Sequence, residues 1–301
     1  MSFCNRLTVG LTAAAGIAGI SPVQAAENHG VPWQMGLLES ASESMEYIHW
    51  FHNGILMPVI TVITLFVLAL LIYVMVKFNA KANPVPSKTT HNTTVEVLWT
   101  VIPIIILVVI AIPSFRLLYL QRNIPAADMT IKAIGNPSWN WTYEYPDLGL
   151  NEDGTAKASF TAYLKDEAKD MATARAAKLP YLLATDVPIV VPVGKIVKMI
   201  ITSDPDGIIH AWTIPAFGMK IDAIPGRLNE DWFQATREGT FYGQCSELCG
   251  KDHAYMPIEL HVVSQETYDA WSKSLVETGD PAAAAKLLVS LEANAKQLAQ
   301  N

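Results

Sequence analysis

A short segment between residues 245 and 256 combines the side chains that bind soft metal ions. It contains Cys245, Cys249, His253 and Met256, and a further histidine, His210, lies upstream. Thiolate and thioether sulfur select copper, and imidazole suits it as well, whereas calcium and magnesium require oxygen ligands. The sequence therefore predicts a copper site, and the chemistry that such a site suits is electron transfer.

The spacing leaves the number of copper ions open. A mononuclear blue-copper site needs one cysteine, two histidines and a weak axial methionine. Cys249, His253, His210 and Met256 supply that set, and Cys245 is then surplus. Two cysteines on a tight loop can instead bridge two ions, with one histidine on each ion. Such a pair shares one unpaired electron, so its geometry changes little on reduction and transfer is fast.

Two interpretations without a resident copper site compete with this one. Two cysteines in an exported domain most often form a disulfide, but a disulfide requires neither His253 nor Met256 at these spacings. A copper-delivery protein of thioredoxin type also has two cysteines with three residues between them. Its histidine lies far downstream, however, and here the distant histidine, His210, lies upstream. The flanking residues therefore favour a metal site.

Residues 243–257 resemble the binuclear copper (CuA) loop of subunit II of bacterial haem-copper cytochrome c oxidases. The resemblance implies two copper ions held by His210, Cys245, the carbonyl of Glu247, Cys249, His253 and Met256. It also implies that the Glu247 carboxylate turns toward the catalytic subunit and binds a magnesium ion at the interface. One residue would then serve two metals.

The N-terminus has the pattern of a cleaved signal peptide over residues 1–25. One basic residue, Arg6, precedes an apolar stretch at 7–20, and small residues lie at 23–25. Cys4 would leave with the peptide, so the mature protein would keep only the two cysteines of the loop. Residues 26–54 would form an N-terminal periplasmic segment.

Two stretches, 55–76 and 97–115, carry no charged residue. As helices with a rise of about 1.5 Å per residue, each is roughly long enough for the ~30 Å hydrocarbon layer of a bilayer. We place the helices at about 55–78 and 97–120, in a transmembrane hairpin that covers 55–120. The lipid bilayer is therefore an expected partner.

The segment between the two helices sets their orientation. It contains Lys77, Lys81 and Lys88 and no acidic residue, so the positive-inside rule places it in the cytoplasm. Both termini and the copper loop then lie on the periplasmic side of a bacterial inner membrane, an oxidising compartment.

Residues 123–278 are predicted to form an all-β, cupredoxin-like Greek-key sandwich. Short runs rich in Val, Ile, Thr and aromatic residues are separated by Gly, Pro, Asn and Asp. The predicted strands are 129–134, 139–145, 187–202, 208–214, 231–236, 240–242 and 257–263. We also expect a helical excursion at 164–178, a closing helix at 265–277 and an Ala-rich tail at 279–301 with no assigned purpose.

The predicted exported domain is acidic. Residues 123–278 contain 21 acidic residues against 13 Lys and Arg, while the whole chain has a net charge of −7. An acidic surface accelerates encounter with a basic partner in a salt-dependent way. In the family this partner is a basic cytochrome c, and we expect no nucleic acid among the partners. The chain has no Cys-x-x-Cys-His motif for covalent haem, so the donor must be a separate protein.

A cluster of aromatic residues lies at 138–147, where most such side chains belong to a core. In the family an exposed tryptophan from this region receives the electron from cytochrome c, and Trp139 matches it best. The family usually has Gly-His-Gln-Trp-Tyr-Trp, whereas this chain has one extra residue and Asn140 in place of the tyrosine. The family's acid three residues before the histidine is Gly207 here, next to Asp206.

Three weaker matches complete the resemblance. Glu96 matches a glutamate that in the family stands at the mouth of a proton channel, and it equally suits the first turn of a helix, where the helix dipole favours an acid. Residues 222–227 match an interface loop, although Pro and Gly in a plain turn explain it too. The remaining histidines lack ligand spacing and are assigned to interfaces or the surface; they are His49, His52, His91 and His261.

The resemblance spans about 50–271 and implies an electron-accepting oxidase subunit. Cytochrome c would reduce the copper pair, which would pass electrons to haem in subunit I, where oxygen is reduced to water with proton pumping. Among the alternatives, a quinol oxidase subunit lacks the cysteine loop, and nitrous oxide reductase is a soluble enzyme with a large additional domain. A copper-storage module would need neither the aromatic path nor the acidic face.

Overall fold

The computed structural model describes residues 28–299, so the predicted signal peptide lies outside the described part of the chain. Two long apolar helices precede a domain of ten strands, and two further helices close the chain. The predicted fold class, a pair of membrane-type helices followed by an all-β sandwich, is confirmed.

The first long helix begins earlier than the apolar stretch predicts. Helix α1 (Glu43–Phe51) continues through a π-helical turn (His52–Leu56) into α2 (Met57–Lys77). Ser42 caps α1 by accepting a hydrogen bond from the Met45 amide, which satisfies an otherwise free donor. The wide turn precedes Pro58, whose ring would clash with the carbonyl four residues back in a regular helix.

The second long helix, α3 (Thr93–Arg122), contains Pro103 and Pro113 and remains continuous. Its N-terminus is capped twice. The Asn92 side chain accepts from the Val95 amide, and the Glu96 carboxylate accepts from the Asn92 amide. The apolar stretches of both long helices lie fully outside the core of this chain, so their side chains are free to contact lipid or other subunits.

The β domain consists of three sheets. The strands are β1 (Met129–Asn136), β2 (Asn140–Glu144), β3 (Ser159–Ala162), β4 (Ile189–Pro192), β5 (Ile196–Ser203), β6 (His210–Ile214), β7 (Met219–Ala223), β8 (Asn229–Gln234), β9 (Gly239–Gln244) and β10 (Pro257–Val263). The orders are β3-β2-β1-β5-β8, β4-β10-β9 and β6-β7. Strand β1 is parallel to β5 and β10 is parallel to β4. Residues from all three sheets share one core cluster, as in a packed sandwich.

The strand prediction for 187–202 is wrong, because this stretch forms two strands in different sheets. Gly194, with φ +76°, lies in the turn between β4 and β5. Every residue of β4 is buried, and only three residues separate it from β5, so the two apolar runs resemble one long strand. Strands β3 and β7 were not predicted, and the helical excursion is confined to α4 (Met171–Ala177) and a preceding short 3₁₀ turn.

The C-terminal tail is ordered and packed. Helix α5 (Gln265–Thr278) ends at Gly279, whose φ of +61° forms a left-handed cap, and α6 (Pro281–Ala299) follows. Ala284 and Leu288 of α6 are fully buried in the main core. The assignment of His261 to an interface or the surface is wrong. This residue of β10 is only 7% exposed, and its side chain contacts Glu292 of α6.

Specific contacts join the membrane helices to the β domain. The side chain of Gln121, near the end of α3, donates to the Gly218 carbonyl at 3.1 Å, and Trp232 of β8 donates to the Leu120 carbonyl at 3.2 Å. At Gly218 any side chain would meet Ile48 of α1. These contacts define how the β domain sits above the two long helices.

Candidate metal centre

The cysteine segment is a loop between two paired strands. Strand β9 ends one residue before Cys245 and β10 begins one residue after Met256, and the two strands are antiparallel. The Cys245 amide donates to the Met256 carbonyl at 3.3 Å, which closes the base of the loop. The Ser246 amide donates to the Ala211 carbonyl at 3.0 Å. This bond joins the loop to β6 and so brings it beside His210.

All the side chains predicted as ligands converge at this loop. The Sγ atoms of Cys245 and Cys249 lie 3.7 Å apart. His210 Nδ1 is 3.8 Å from Cys245 Sγ, and His253 Nδ1 is 3.4 Å from Cys249 Sγ. Met256 Sδ lies 3.6 Å from Cys249 Sγ. Each sulfur of the cysteine pair therefore faces a different histidine.

The two cysteines are free thiols rather than a disulfide. A disulfide would place the sulfurs at about 2.05 Å, and the observed separation is 3.7 Å. Both thiols and His210 are buried, and the ligand atoms of these three residues lie within 4.8 Å of one another. The arrangement leaves the sulfurs available to a cation.

The electrostatics of the cluster suit a soft cation. Burial and the adjacent Cys245 thiol raise the pKa of Cys249 to about 12, so a thiolate here needs a positive partner. Burial also lowers the pKa of His210, and a neutral imidazole is the form that binds metal. Two thiols, two imidazoles and a thioether match the preferences of copper. The residues present therefore fit the implied metal.

Glu247 presents its two ends to different surroundings. Its backbone carbonyl accepts a hydrogen bond from Cys245 Sγ at 3.3 Å and so lies at the sulfur cluster. Its side chain is exposed. Leu248, the next residue, is 81% exposed. The outer surface of the loop thus offers a carboxylate and an apolar side chain to a partner.

Trp139 lies directly on the cysteine loop. Its indole Nε1 donates to the Cys249 carbonyl at 2.9 Å, and the Lys251 Nζ lies 5.6 Å from the ring centre. The prediction that Trp139 lies in a strand is wrong. It occupies a turn before β2 with φ +54°, and this conformation turns the ring toward Gly250, where an added Cβ would lie 3.1 Å from the indole.

Three positioning residues were missed by sequence reasoning. Trp141 Nε1 donates to the Met256 carbonyl at 3.4 Å, and its ring packs edge-on against His210 at 5.8 Å. A Cβ on Gly135 would come within 2.6 Å of the His210 ring, and one on Gly243 would overlap the Thr213 carbonyl. Glycine inside a strand often marks such close approach, but Gly135 and Gly243 each lie one residue beyond the predicted strands, whereas β1 and β9 include them.

The remaining predicted site residue lies away from the cluster. Glu96 is in the first turn of α3, whereas the β domain joins the helix near Arg122. With a rise of ~1.5 Å per residue, the two ends of this helix are roughly 40 Å apart. The structure thus places Glu96 at the far end of the long helix, where it caps the N-terminus.

Comparison with known proteins gives two family matches. Residues 129–263 match the family described as cytochrome C oxidase subunit II, periplasmic domain. Residues 30–117 match the cytochrome C oxidase subunit II, transmembrane domain. Together the two matched ranges include the apolar parts of both long helices and all the residues of the candidate metal cluster.

Individual relatives agree with this assignment. A probable cytochrome c oxidase subunit 2 of Rickettsia bellii (strain RML369-C) is 46% identical over 244 residues, 81% of this chain and 85% of that protein. Cytochrome c oxidase subunit 2 of Cereibacter sphaeroides is 42% identical over 282 residues, 90% and 92% of the two chains. Among solved structures, the periplasmic domain of subunit II of cytochrome oxidase (CoxB) of Bradyrhizobium japonicum is 45% identical and covers 52% of this chain and 99% of that chain, with a TM-score of 0.44.

The chain has two long apolar helices, a β sandwich and a cluster of two thiols between two histidines. The two family matches and the two subunit 2 relatives agree with this arrangement. The chain is therefore a membrane protein and belongs to the cytochrome c oxidase subunit II family.

Proposed function

We propose that this chain is the electron-accepting subunit of a terminal respiratory oxidase. Its two copper ions would be held by His210, Cys245, the carbonyl of Glu247, Cys249, His253 and Met256. The observation that carries the proposal is the pair of unlinked sulfurs, 3.7 Å apart, each facing the Nδ1 of a different histidine. A bound copper pair would supply a one-electron store whose geometry changes little between its two redox states.

Trp139 is proposed as the residue through which the electron arrives. Its indole is partly exposed, and its N–H donates to the carbonyl of a proposed ligand residue, Cys249. One hydrogen bond and a few covalent bonds therefore separate the ring from the sulfur. The donor is proposed to be a cytochrome c, a basic protein that the net charge of −7 on this chain would attract.

Electrons are proposed to leave for haem in the catalytic subunit I, where oxygen is reduced to water with coupled proton pumping. The apolar sides of α2 and α3 are available to subunit I, to other oxidase subunits and to lipid. The orientation proposed is that of the inner membrane of a bacterium, with the copper domain and both termini in the periplasm, after removal of residues 1–25 as a signal peptide. The lysines between the helices support that orientation.

Two further roles remain proposals of the same kind. The exposed carboxylate of Glu247 would bind a magnesium ion shared with subunit I, since a carboxylate is a ligand that magnesium prefers. Glu96 would stand at the entrance of a proton channel on the cytoplasmic side. Its capping bond to the Asn92 amide accounts for one oxygen of its carboxylate.

Replacing Trp139 with leucine tests the route of electron arrival. We expect the reduction of the metal centre by a basic cytochrome c to slow at least about tenfold, equivalent to ~1.4 kcal/mol of barrier, with copper content unchanged. The measurement is stopped-flow reduction of the assembled oxidase at low and high salt, with copper determined by elemental analysis. In the unmodified protein the rate should fall as salt rises, because opposite charges steer the encounter.

Trp33→Leu is the matched control, because this tryptophan is 97% exposed and lies outside the loop. The metal centre of this variant should be reduced by cytochrome c at the same rate as that of the unmodified protein. An unchanged rate in Trp139→Leu would show that the electron enters elsewhere. A salt-insensitive reduction of the unmodified protein would instead point to copper storage rather than to electron exchange with a charged donor.

A further inference from the structure

A buried histidine outside the metal centre is held between two carboxylates. His261 Nδ1 lies 2.7 Å from Glu292 Oε1, and His261 Nε2 lies 3.0 Å from Glu259 Oε1. A neutral imidazole carries one N–H, so both carboxylates can accept from the ring only when it is the doubly protonated cation. Burial alone lowers the pKa of His261, but the hydrogen bonds that its ring donates to Glu259 and Glu292 outweigh it and raise the pKa to about 9.

This cluster connects three separate parts of the chain. His261 and Glu259 lie on β10, and Glu292 lies on α6. The second oxygen of Glu259 accepts from the Thr185 amide at 2.6 Å, in the segment that leads into β4. On the neighbouring strands, β4 and β9, the residues opposite His261 are Val190 and Thr240, which carry no charge. Among the side chains that the structure describes, the charged groups that act on this imidazole are the two glutamates.

The strand that carries this cluster also ends the metal loop. Strand β10 begins at Pro257, directly after Met256, and its partner β9 leads into Cys245. His261 pairs with Thr240 in the same two strands. Any movement of β10 relative to β9 would therefore change the positions of Met256 and Cys245. A contact that fixes β10 from outside the sheet would stabilise the loop.

We propose that α6 is a clamp on the strand pair of the metal loop, fastened by the contacts of the buried His261 with Glu259 and with the partly exposed Glu292. The three are positioning residues, which act on the metal ligands only through β10. The tail of the chain thereby acquires a function that its Ala-rich composition does not indicate. The inference rests on the proposed function only where metal release is measured.

The clamp should be sensitive to alkaline pH. Because the pKa of His261 is raised above its ordinary value of 6.5 to about 9, its stabilising contribution is complete below the ordinary value. The contribution is lost as the pH rises through the folded-state pKa. Above that pH the neutral ring donates to one carboxylate only, and the attraction between the imidazolium and the two carboxylates is lost.

Glu292→Gln tests the clamp in the full chain in detergent. The amide keeps the shape of the side chain and removes its charge. We expect a melting temperature lower by about 2–4 °C or more at neutral pH and faster amide exchange in β10. The unmodified protein should lose melting temperature as the pH rises from about 6.5 to about 9, the ordinary and the folded-state pKa of His261, and the variant should lose much less.

Glu277→Gln on α5 is the matched control, since Glu277 forms an exposed pair with Lys273 and exposed pairs contribute little. It should behave as the unmodified protein. An identical melting temperature and pH profile in Glu292→Gln would overturn the clamp. So would a lower melting temperature with unchanged exchange in β10, because α6 would then dock without positioning the loop.

Metal release provides a second measurement. Copper should pass from the Glu292→Gln protein to a chelator up to about tenfold faster than from the unmodified protein. This is the lower end of the effect on metal affinity that changes outside the ligand shell usually have. Equal release rates would contradict the effect on the loop. An unmodified protein isolated without copper would contradict the proposed function, while melting and exchange would still decide the clamp.

Discussion

Cys245→Ser is expected to abolish the proposed two-copper centre. The buried sulfur of Cys245 lies between His210 Nδ1 and Cys249 Sγ, and a serine oxygen is a poor ligand for soft copper. One remaining thiolate cannot bridge two ions with a partner thiolate. We expect the delocalised two-copper signal in electron paramagnetic resonance to disappear, and turnover of the assembled oxidase to fall by about a hundredfold or more, beyond the usual effect of outer-shell changes.

Ser246→Ala is the appropriate control for this substitution. Its amide, which donates to the Ala211 carbonyl, is retained, so the loop should keep its attachment to β6 and its two copper ions. Elemental analysis checks the stoichiometry in both variants. The bridging role of Cys245 would be refuted if the serine variant kept two copper ions and an unchanged spectrum.

Gly243→Ala is expected to separate strands β6 and β9, which carry His210 and the cysteine loop, and so to destabilise the fold. A Cβ at this position would overlap the Thr213 carbonyl of β6, and two packed backbones cannot relax as a flexible side chain can. We expect a loss of ~3–5 kcal/mol in the free energy of unfolding, in the range of severe core substitutions. Because β6 begins at His210 and Cys245 follows β9 closely, separating the two strands should also remove copper.

Denaturant unfolding and copper analysis of the full chain together measure this effect. Gly36→Ala is the control, because a Cβ at Gly36 would meet no atom within 4 Å and the residue has no positive φ. Its stability should stay within about 0.5 kcal/mol of the unmodified chain. A Gly243→Ala protein of normal stability and copper content would show that β6 and β9 can separate without affecting the ligands.

The candidate metal cluster was predictable because most of its proposed ligands are close together in the chain. Cys245, Cys249, His253 and Met256 lie within 12 residues, and their side-chain chemistry limits the metals they can hold. The membrane helices were predictable for a similar reason, since a long uncharged stretch indicates a span whatever surrounds it. Both signals depend on residue type and short spacing alone.

Other features could not be predicted from local patterns. The division of 187–202 into β4 and β5 is hidden, because only three residues, among them Gly194, separate two runs rich in apolar residues. His261 and Glu292 are 31 residues apart, and the pattern of neither segment indicates the other. Trp139 was expected in a strand, whereas the contact of its indole with the Cys249 carbonyl depends on a left-handed turn.

The amino-acid sequence by itself determined which metal suits the chain, where the membrane helices lie and that a β domain carries the ligands. These properties follow from residue chemistry and short-range spacing. Only the tertiary structure decided that His210 meets Cys245, that an indole lies against the cysteine loop and that Glu292 of α6 contacts His261 of β10. Such contacts join segments far apart in the chain, and they arise because the whole sandwich must bury its apolar faces together.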